Sequence, residues 1–157
     1  AMDVKIVKEN ETRVAFVRHT GPYHLCGQAW SKLCLHLGAL GLLGGNPRFI
    51  GLSYDDPEVT PEDKIRYDAC VEVDADFQPE GDIGVQVLPG GDFAMTTHFG
   101  SYENLKDTYA ALLGRWLPDS GRRFKMGPTR EVYLNDPEST APEDLVTDIY
   151  LPLENKA

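Results

Sequence analysis

The residues best suited to chemistry lie near the carboxyl terminus, in two stretches where polar and aliphatic side chains alternate. The first runs Glu131-Val132-Tyr133-Leu134 and the second Thr147-Asp148-Ile149-Tyr150-Leu151. Because successive side chains of a strand point to opposite faces, we expect the aliphatic positions to face a helix-packed core. The opposite face would then carry two carboxylates and two tyrosines, namely Glu131, Tyr133, Asp148 and Tyr150.

The spacing of these four residues alone does not choose among three interpretations. Carboxylates beside aromatic rings suit an organic cation, because the charge pairs with the carboxylates and the apolar body stacks on the rings. Two close carboxylates raise the pKa of one of them, which would give a general acid/base with a tyrosine as helper. A solvated sheet face also carries Glu, Asp and Tyr without any function.

The strands that carry these residues belong to an internal repeat. His19-Thr20-Gly21-Pro22-Tyr23 recurs as His98-Phe99-Gly100-Ser101-Tyr102, 79 positions later, and Asp56-Pro57 recurs as Asp136-Pro137, 80 positions later. An ordered set of matches at a near-constant offset is typical of a duplicated unit. The repeated histidines end a strand in each copy, so we expect them to bond the following turn and not to catalyse.

We predict two copies of one unit, over about 12–75 and 91–153, within a single domain that spans 2–157. Each copy is predicted to run strand–helix–strand–strand, which makes the fold α+β with antiparallel pairing. Two equivalent units usually pack about a pseudo-two-fold axis, so we expect a cleft between them. Trp30 and Tyr109 fall at equivalent positions of the two helices.

The elements themselves follow from periodicity and from turn residues. Strands are predicted over 13–18, 49–54 and 65–73 in the first copy, and over 92–96, 129–134 and 146–153 in the second. The second helix has one apolar stripe with helical spacing, formed by Leu105, Tyr109, Leu112, Leu113 and Trp116. Pro118 is expected to end that helix.

Composition and charge exclude several classes of function. The chain has 157 residues, with 15 Lys and Arg against 25 Asp and Glu, a formal net charge of −10 at pH 7. It lacks the basic face that phosphate contacts need, so no direct binding of DNA or RNA is expected. Its apolar stretch over 33–45 is shorter than the roughly 18–20 residues that cross a bilayer. Anionic membrane surfaces repel so acidic a chain, so no membrane partner is expected either.

The cysteines and histidines indicate neither a disulfide frame nor a metal. Cys26, Cys34 and Cys70 are an odd number without a C-x-x-C pair, which favours buried thiols in a reducing cytoplasm. The histidines share no metal-ligand spacing. No phosphate-binding or dinucleotide fingerprint occurs, so we predict no metal and no cofactor.

Five basic residues fall close together in the second copy and allow two interpretations. They are Arg115, Arg122, Arg123, Lys125 and Arg130. On an acidic protein they could form a docking patch for another protein. A run of charges is more often a solvated loop, and the sequence favours that interpretation.

Four motifs together resemble the GyrI-like small-molecule-binding domain family, which includes the effector-binding domains of AraC-type and MerR-type regulators and the bacterial DNA gyrase inhibitory protein. They are His98-Phe99-Gly100-Ser101-Tyr102, Trp116-Leu117-Pro118-Asp119-Ser120-Gly121, Glu131-Val132-Tyr133-Leu134-Asn135-Asp136-Pro137 and Thr147-Asp148-Ile149-Tyr150-Leu151-Pro152-Leu153. In the first copy, the segment Arg66-Tyr67-Asp68-Ala69-Cys70 also resembles sequences of this family. The resemblance covers about 4–153.

The resemblance implies a duplicated fold with a ligand cleft between the copies, in which an acidic residue meets lipophilic cations. By motif that residue is Glu131, and the acidic-x-Tyr pattern of the last strand falls on Asp148 and Tyr150. Trp30 and Tyr109 are the expected aromatic walls. The last-strand acid is often Glu in the family, and Asp148 is one methylene shorter.

The family resemblance carries three hypotheses about function. The preferred one is a standalone cytoplasmic module that binds a small organic ligand, with Glu131, Asp148, Tyr150, Tyr133, Trp30 and Tyr109 as ligand-binding residues. The second is a hydrolase of reactive small molecules, with Glu131 as general base and Tyr150 or Tyr133 as its partner. The third is an interaction module that contacts DNA gyrase or another protein, through the basic patch. Fold analogy does not choose among them.

Overall fold

The computed structural model describes residues 2–156, which divide into two compact units. Residues 2–10 and 90–156 form one unit, and Glu11–Pro89 form the other. One predicted copy falls within each unit. We call the unit of residues 2–10 and 90–156 the acid unit, because it contains Glu131, and the unit of Glu11–Pro89 the aromatic unit, because it contains Trp30.

The regular elements are eight strands, three α-helices and several short helical turns within residues 2–156. The strands are β1 (Val4–Glu9), β2 (Thr12–Thr20), β3 (Phe49–Ser53), β4 (Arg66–Glu72), β5 (Gly84–Leu88), β6 (Gly91–Phe99), β7 (Thr129–Tyr133) and β8 (Val146–Pro152). The α-helices are α1 (Gly27–Ala39), α2 (Leu105–Ala111) and α3 (Leu117–Ser120), with a π-helical turn over Leu112–Trp116. None of the described helices is long and apolar enough to cross a membrane.

The aromatic unit is a four-stranded antiparallel sheet with α1 on one face. The strands pair in the order β3-β4-β2-β5. Helix α1 buries Ala29, Leu33 and Leu37 against Ala15, Val17, Tyr67, Ala69 and Val71 of the sheet. These helix positions recur at spacings of four residues, so they form one stripe that faces the sheet.

The acid unit repeats this arrangement with β1-β6-β8-β7 as its antiparallel order. Ser101 begins the helical segment, because its side chain accepts a hydrogen bond from the backbone N–H of Glu103. Leu105, Tyr109, Leu112 and Trp116 of that segment pack on Ala94, Ile149, Leu151 and Leu153 of the sheet. The predicted α+β class with antiparallel pairing is therefore confirmed, whereas the duplication and the cleft between copies stay predictions.

The helical segment of the acid unit departs from the sequence prediction in two ways. A π-helical turn over Leu112–Trp116 inserts one residue into the helical period, so Leu113 turns outward and is 43% exposed. Pro118 does not end the segment. It lies at the start of α3, directly after the π-helical turn, and the helix ends at Gly121 with φ of 74°.

Strands β1 and β5 were not predicted, and both lie at edges of the two sheets. Strand β1 pairs with β6, and β5 pairs with β2. Strand β1 mixes two lysines and a glutamate with three aliphatic residues, VKIVKE over Val4–Glu9. Its charge suits an exposed edge and weakens the strand signal in the sequence, whereas β5, GVQVL over Gly84–Leu88, is short and has no charged residue.

The acidic loops between β3 and β4 and between β7 and β8 are built in the same way. Asp56 accepts a hydrogen bond from the backbone N–H of Glu58 at 2.9 Å, and Asp136 accepts one from that of Glu138 at 2.9 Å. Aspartate in this position forms an Asx turn. Part of the net negative charge therefore shapes turns.

The most deeply buried carboxylate of the aromatic unit, that of Asp68 on β4, is paired with an arginine. It is 0% exposed, and it accepts hydrogen bonds from Arg18 Nε at 2.8 Å and Arg18 Nη2 at 3.0 Å. Tyr54 donates to it at 2.7 Å and Gln86 at 3.0 Å. Burial and the hydrogen bond to Asp68 raise the pKa of Tyr54, so the phenol keeps the proton that it donates.

We expect Asp68→Asn to lower the free energy of unfolding by about 2–3 kcal/mol, because it leaves the Arg18 guanidinium without its charge partner. Urea denaturation followed by circular dichroism measures this. Asp148→Asn is the matched control: within the described residues Asp148 accepts one hydrogen bond, from Thr97 at 2.6 Å, so its loss should cost about 1 kcal/mol. Equal losses in both variants would contradict the role given to Arg18.

Candidate functional site

The candidate site is centred on Glu131, at the middle of β7 in the acid unit. In the pairing of β7 with β8, Glu131 lies directly opposite Ile149. Residues opposite each other on paired strands share a face of the sheet. Ile149 belongs to the core under α2, so the Glu131 side chain lies on the helix-facing side and is only 7% exposed as a residue.

Two tyrosines hold the Glu131 carboxylate from different elements. Tyr109, on α2, donates its hydroxyl proton to Glu131 Oε2 at 2.5 Å. Tyr133, two positions further along β7, donates to Oε1 at 2.8 Å. Each carboxylate oxygen therefore has one phenol donor, and the helix and the sheet are joined through this group.

Glu131 is the buried carboxylate without a cationic partner. Among the ion pairs of residues 2–156, none includes Glu131. Burial raises the pKa of Glu131, and the hydrogen bonds from Tyr109 and Tyr133 and the nearby His98 only partly oppose that rise. The site thus holds a carboxylate whose ionised form the fold disfavours.

The surroundings of Glu131 are aromatic and well anchored. The ring of Tyr133 makes an edge contact with the ring of Tyr102, with centroids 5.6 Å apart. His98 is bound at both ring nitrogens, by Thr108 Oγ1 at 2.7 Å and by the carbonyl oxygen of Ser101 at 3.0 Å. The bond to Ser101 agrees with the expectation that this histidine fixes the turn after its strand.

The prediction that Glu131, Tyr133, Asp148 and Tyr150 share one face is wrong. The register places Val132 opposite Asp148 and Arg130 opposite Tyr150. Asp148 and Tyr150 therefore lie on the face away from α2, while Glu131 and Tyr133 lie on the face toward it. The prediction failed because it assumed that the core-facing positions of β7 are aliphatic, whereas Val132 is buried on the other face at 3% exposure.

The face away from α2 has its own network. Asp148 accepts a hydrogen bond from Thr97. Tyr150 makes an edge contact with Phe93, with ring centroids 6.2 Å apart, and the buried guanidinium of Arg130 lies 4.3 Å from the centroid of the same Phe93 ring. A cation of the protein already occupies this face. The catalytic pair predicted for a hydrolase, Glu131 with Tyr150, is divided by the sheet.

Trp30 lies in the aromatic unit, where its indole is engaged. Its Nε1 donates to the hydroxyl oxygen of Tyr67 at 3.0 Å, and its ring stacks on Phe49 with centroids 6.1 Å apart. Tyr109 contacts Glu131 directly, as described above. The ligand-binding role of all six predicted residues stays a prediction, and hydrogen bonds join Glu131 to Tyr109 and to Tyr133.

Sequence reasoning overlooked two members of the Glu131 surroundings, Tyr102 and Thr147. Tyr102 was visible as the last residue of the repeated His-x-Gly-x-Tyr motif. Thr147 lies directly opposite Tyr133 and is fully buried, and its two-residue spacing from Ile149 was the signal. Within residues 2–156, no group of His, Cys, Asp and Glu is arranged to hold a metal ion.

The five basic residues between 115 and 130 do not form one exposed patch. Arg130 is buried at 5% exposure. Arg122 donates to Asp92 at 3.0 Å and to the backbone carbonyl of Glu154 at 3.1 Å. Two of the five are therefore used inside the acid unit, which removes much of the charge expected of a docking patch.

We expect Glu131→Gln to stabilise the protein at pH 7, because the raised pKa means that the fold penalises the ionised carboxyl. Since the pKa of Glu131 is higher in the folded than in the unfolded protein, its contribution to stability is complete below the unfolded-state pKa. That contribution is lost as the pH rises through the folded-state pKa. The stability gap between wild type and Glu131→Gln should therefore close toward pH 4. Thermal unfolding across that range measures it, and a variant less stable than wild type at pH 7 would contradict the argument.

Comparison with known proteins points in one direction. The chain is 29% identical over 155 residues to the probable transcriptional regulator YgiV of Escherichia coli K12, covering 97% of this chain and 96% of the relative. It is 28% identical to a DNA gyrase inhibitor of Yersinia enterocolitica, covering 98% of each. The EcmrR C-terminal domain has the same fold, with a TM-score of 0.77, 21% identity and 99% of each chain covered.

The match that decides the family covers nearly all of the sequence. Residues 2–154 match the GyrI-like small molecule binding domain. The match includes every strand and helix described above and all of the residues around Glu131. The resemblance noted from four sequence motifs is thereby confirmed, and the chain belongs to the GyrI-like small-molecule-binding domain family.

Proposed function

We propose that the acid unit binds an organic cation on the helix-facing side of its sheet, with Glu131 as the charge partner and Tyr109 and Tyr133 as its supports. The observation that carries this proposal is a buried carboxylate with hydrogen-bond donors but no ion pair. A bound cation would supply the missing positive charge. The family's small-molecule-binding character supports the choice of ligand class.

Asp68 shows how a buried carboxylate looks when its task is structural. It has an arginine, a tyrosine and a glutamine as donors, and the arginine balances its charge. Glu131 has two neutral donors only. A carboxylate that served the fold alone would be more stable with a cation or as a neutral amide, so the unpaired charge at Glu131 is better explained by a ligand.

The two tyrosines allow the Glu131 carboxylate to exchange partners when a ligand binds. A phenol that binds Glu131 in the free protein can rotate away when a cation takes its place, or stay and share the carboxylate. The rings of Tyr133 and Tyr102 then offer aromatic surface to the body of the ligand. Cation–aromatic contacts of this kind contribute about 0.5–2 kcal/mol each.

Asp148, Tyr150 and Trp30 are left out of the proposed contact set. The first two lie on the face that holds Arg130, and Trp30 is engaged with Tyr67 in the aromatic unit. The proposed output is sequestration or sensing of a small molecule, without a catalytic step. We place this activity in the cytoplasm, in keeping with the reduced state of Cys26, Cys34 and Cys70.

Lipophilic aromatic cations are expected to bind the wild-type protein, and Glu131→Gln should weaken that binding roughly 10- to 100-fold, because a charge-assisted contact contributes about 1.5–3 kcal/mol. Isothermal titration calorimetry with tetraphenylphosphonium and with aromatic ammonium ions measures this. Asp148→Asn is the matched control and should keep the wild-type affinity. Tight binding that ignores Glu131→Gln, or depends on Asp148 instead, would sink the proposal.

The affinity for a permanently charged cation should fall as the pH is lowered, since a protonated Glu131 carries no charge. Because its pKa is raised, the loss should begin at a higher pH than for an ordinary glutamate. His98 also interacts electrostatically with this carboxyl, so its contribution has to be separated from that of Glu131. The Glu131→Gln variant separates the two effects: a flat profile in this variant assigns the pH dependence to Glu131, and an unchanged profile contradicts it.

A further inference from the structure

One buried polar atom near Glu131 makes no hydrogen bond in the free protein. Thr147, on β8, is 0% exposed, and among the residues that the structure describes its Oγ1 has no hydrogen-bond partner. A buried hydroxyl without a hydrogen-bond partner destabilises the fold, because it has lost its hydration and has no protein hydrogen bond in its place. Valine has the same shape and would avoid that cost, so the hydroxyl calls for an explanation.

The neighbours of Thr147 have committed their polar atoms elsewhere. Thr147 lies directly opposite Tyr133 on one side and His98 on the other. Tyr133 donates its hydroxyl proton to Glu131, and both ring nitrogens of His98 are bound by Thr108 and Ser101. The Thr147 hydroxyl thus shares the helix-facing side with Glu131, one strand away on a diagonal that ligand-sized groups can bridge.

The corresponding position of the aromatic unit shows what such an oxygen can do. Tyr67 lies opposite His19 and Ser53, as Thr147 lies opposite His98 and Tyr133. The Tyr67 hydroxyl oxygen accepts an N–H from the indole of Trp30 on the helix above it. In the acid unit the helix residue is Tyr109, whose proton goes to Glu131. An N–H donor is therefore present above Tyr67, whereas Thr147 has none.

We propose that Thr147 Oγ1 and the Glu131 carboxylate act together as two acceptors for the N–H groups of a protonated amine. This rests on the proposed function, and it narrows the ligand class from organic cations in general to ammonium ions that carry N–H. A quaternary ammonium ion has the same charge but no proton to donate. It can satisfy Glu131 electrostatically, but it leaves the Thr147 hydroxyl without a partner.

The experiment uses matched pairs of cations that differ only at nitrogen. The pairs are a primary aminomethyl arene in its protonated form, which carries three N–H groups, and the corresponding trimethylammonium compound, on phenyl, naphthyl and anthracenyl rings. Titration calorimetry at pH 7 compares wild type with Thr147→Val, which keeps the shape and removes the hydroxyl. Thr147→Ser keeps the hydroxyl and is the control, and Glu131→Gln reports on the charge.

Wild type and Thr147→Ser should favour the protonated amine over its quaternary partner by roughly tenfold, the worth of one charge-assisted hydrogen bond. Thr147→Val should lose that preference while keeping its affinity for the quaternary ion. Equal affinity for both members of each pair in wild type, or a preference that survives in Thr147→Val, overturns this inference alone. Binding that ignores Glu131→Gln, or no binding by any pair, overturns the proposed function and this inference with it.

Thermal unfolding without ligand gives a readout that does not depend on the choice of compound. If the Thr147 hydroxyl has no partner in the free protein, Thr147→Val should unfold at the same or a higher temperature than wild type. A clear loss of stability in Thr147→Val but not in Thr147→Ser would show that the hydroxyl has a structural partner, and that result contradicts the inference.

Discussion

The acid unit depends on one costly placement, an ionisable carboxyl under a helix with no cation to neutralise it. Glu131 joins β7 to α2 through Tyr109 and is also held by Tyr133 of its own strand, so the group that disfavours folding in its charged form also fixes how helix and sheet meet. A hydrophobic residue at this position would give a more stable core. The two phenols reduce the cost without removing it, because neutral donors stabilise an anion less than an ion pair does.

The two units use buried carboxylates for different ends. In the aromatic unit the acid lies on the face away from the helix and is balanced by Arg18, while the helix-facing side is closed by Trp30 and Tyr67. In the acid unit the helix-facing side holds Glu131, and the position that corresponds to Tyr67 is the much smaller Thr147. The Tyr67 hydroxyl of one unit thus has a donor from its helix, whereas the Thr147 hydroxyl of the other has no hydrogen-bond partner on the side where a ligand is proposed.

Composition and periodicity predicted the class of fold and most elements, because strand alternation and helical stripes are local. Register is not local. The error over Asp148 and Tyr150 arose because β7 is buried on both faces, with Val132 on one and Glu131 on the other, so its aliphatic positions do not mark the core under α2. The π-helical turn at Leu112–Trp116 was hidden for a similar reason, since tertiary packing and not the sequence period selects it.

The net charge of the chain and the charge of Glu131 would act on a cation at different distances. The surplus of acidic residues attracts cations from solution, but much of it lies in exposed turns such as those of Asp56 and Asp136, where salt screens it within about 8–10 Å. Glu131 is buried, so salt screens its charge much less than it screens the charges of these exposed turns. In the proposed function attraction and recognition are therefore separable: the surface charge would affect how fast a cation arrives, and the unpaired carboxylate under α2 would decide whether it stays.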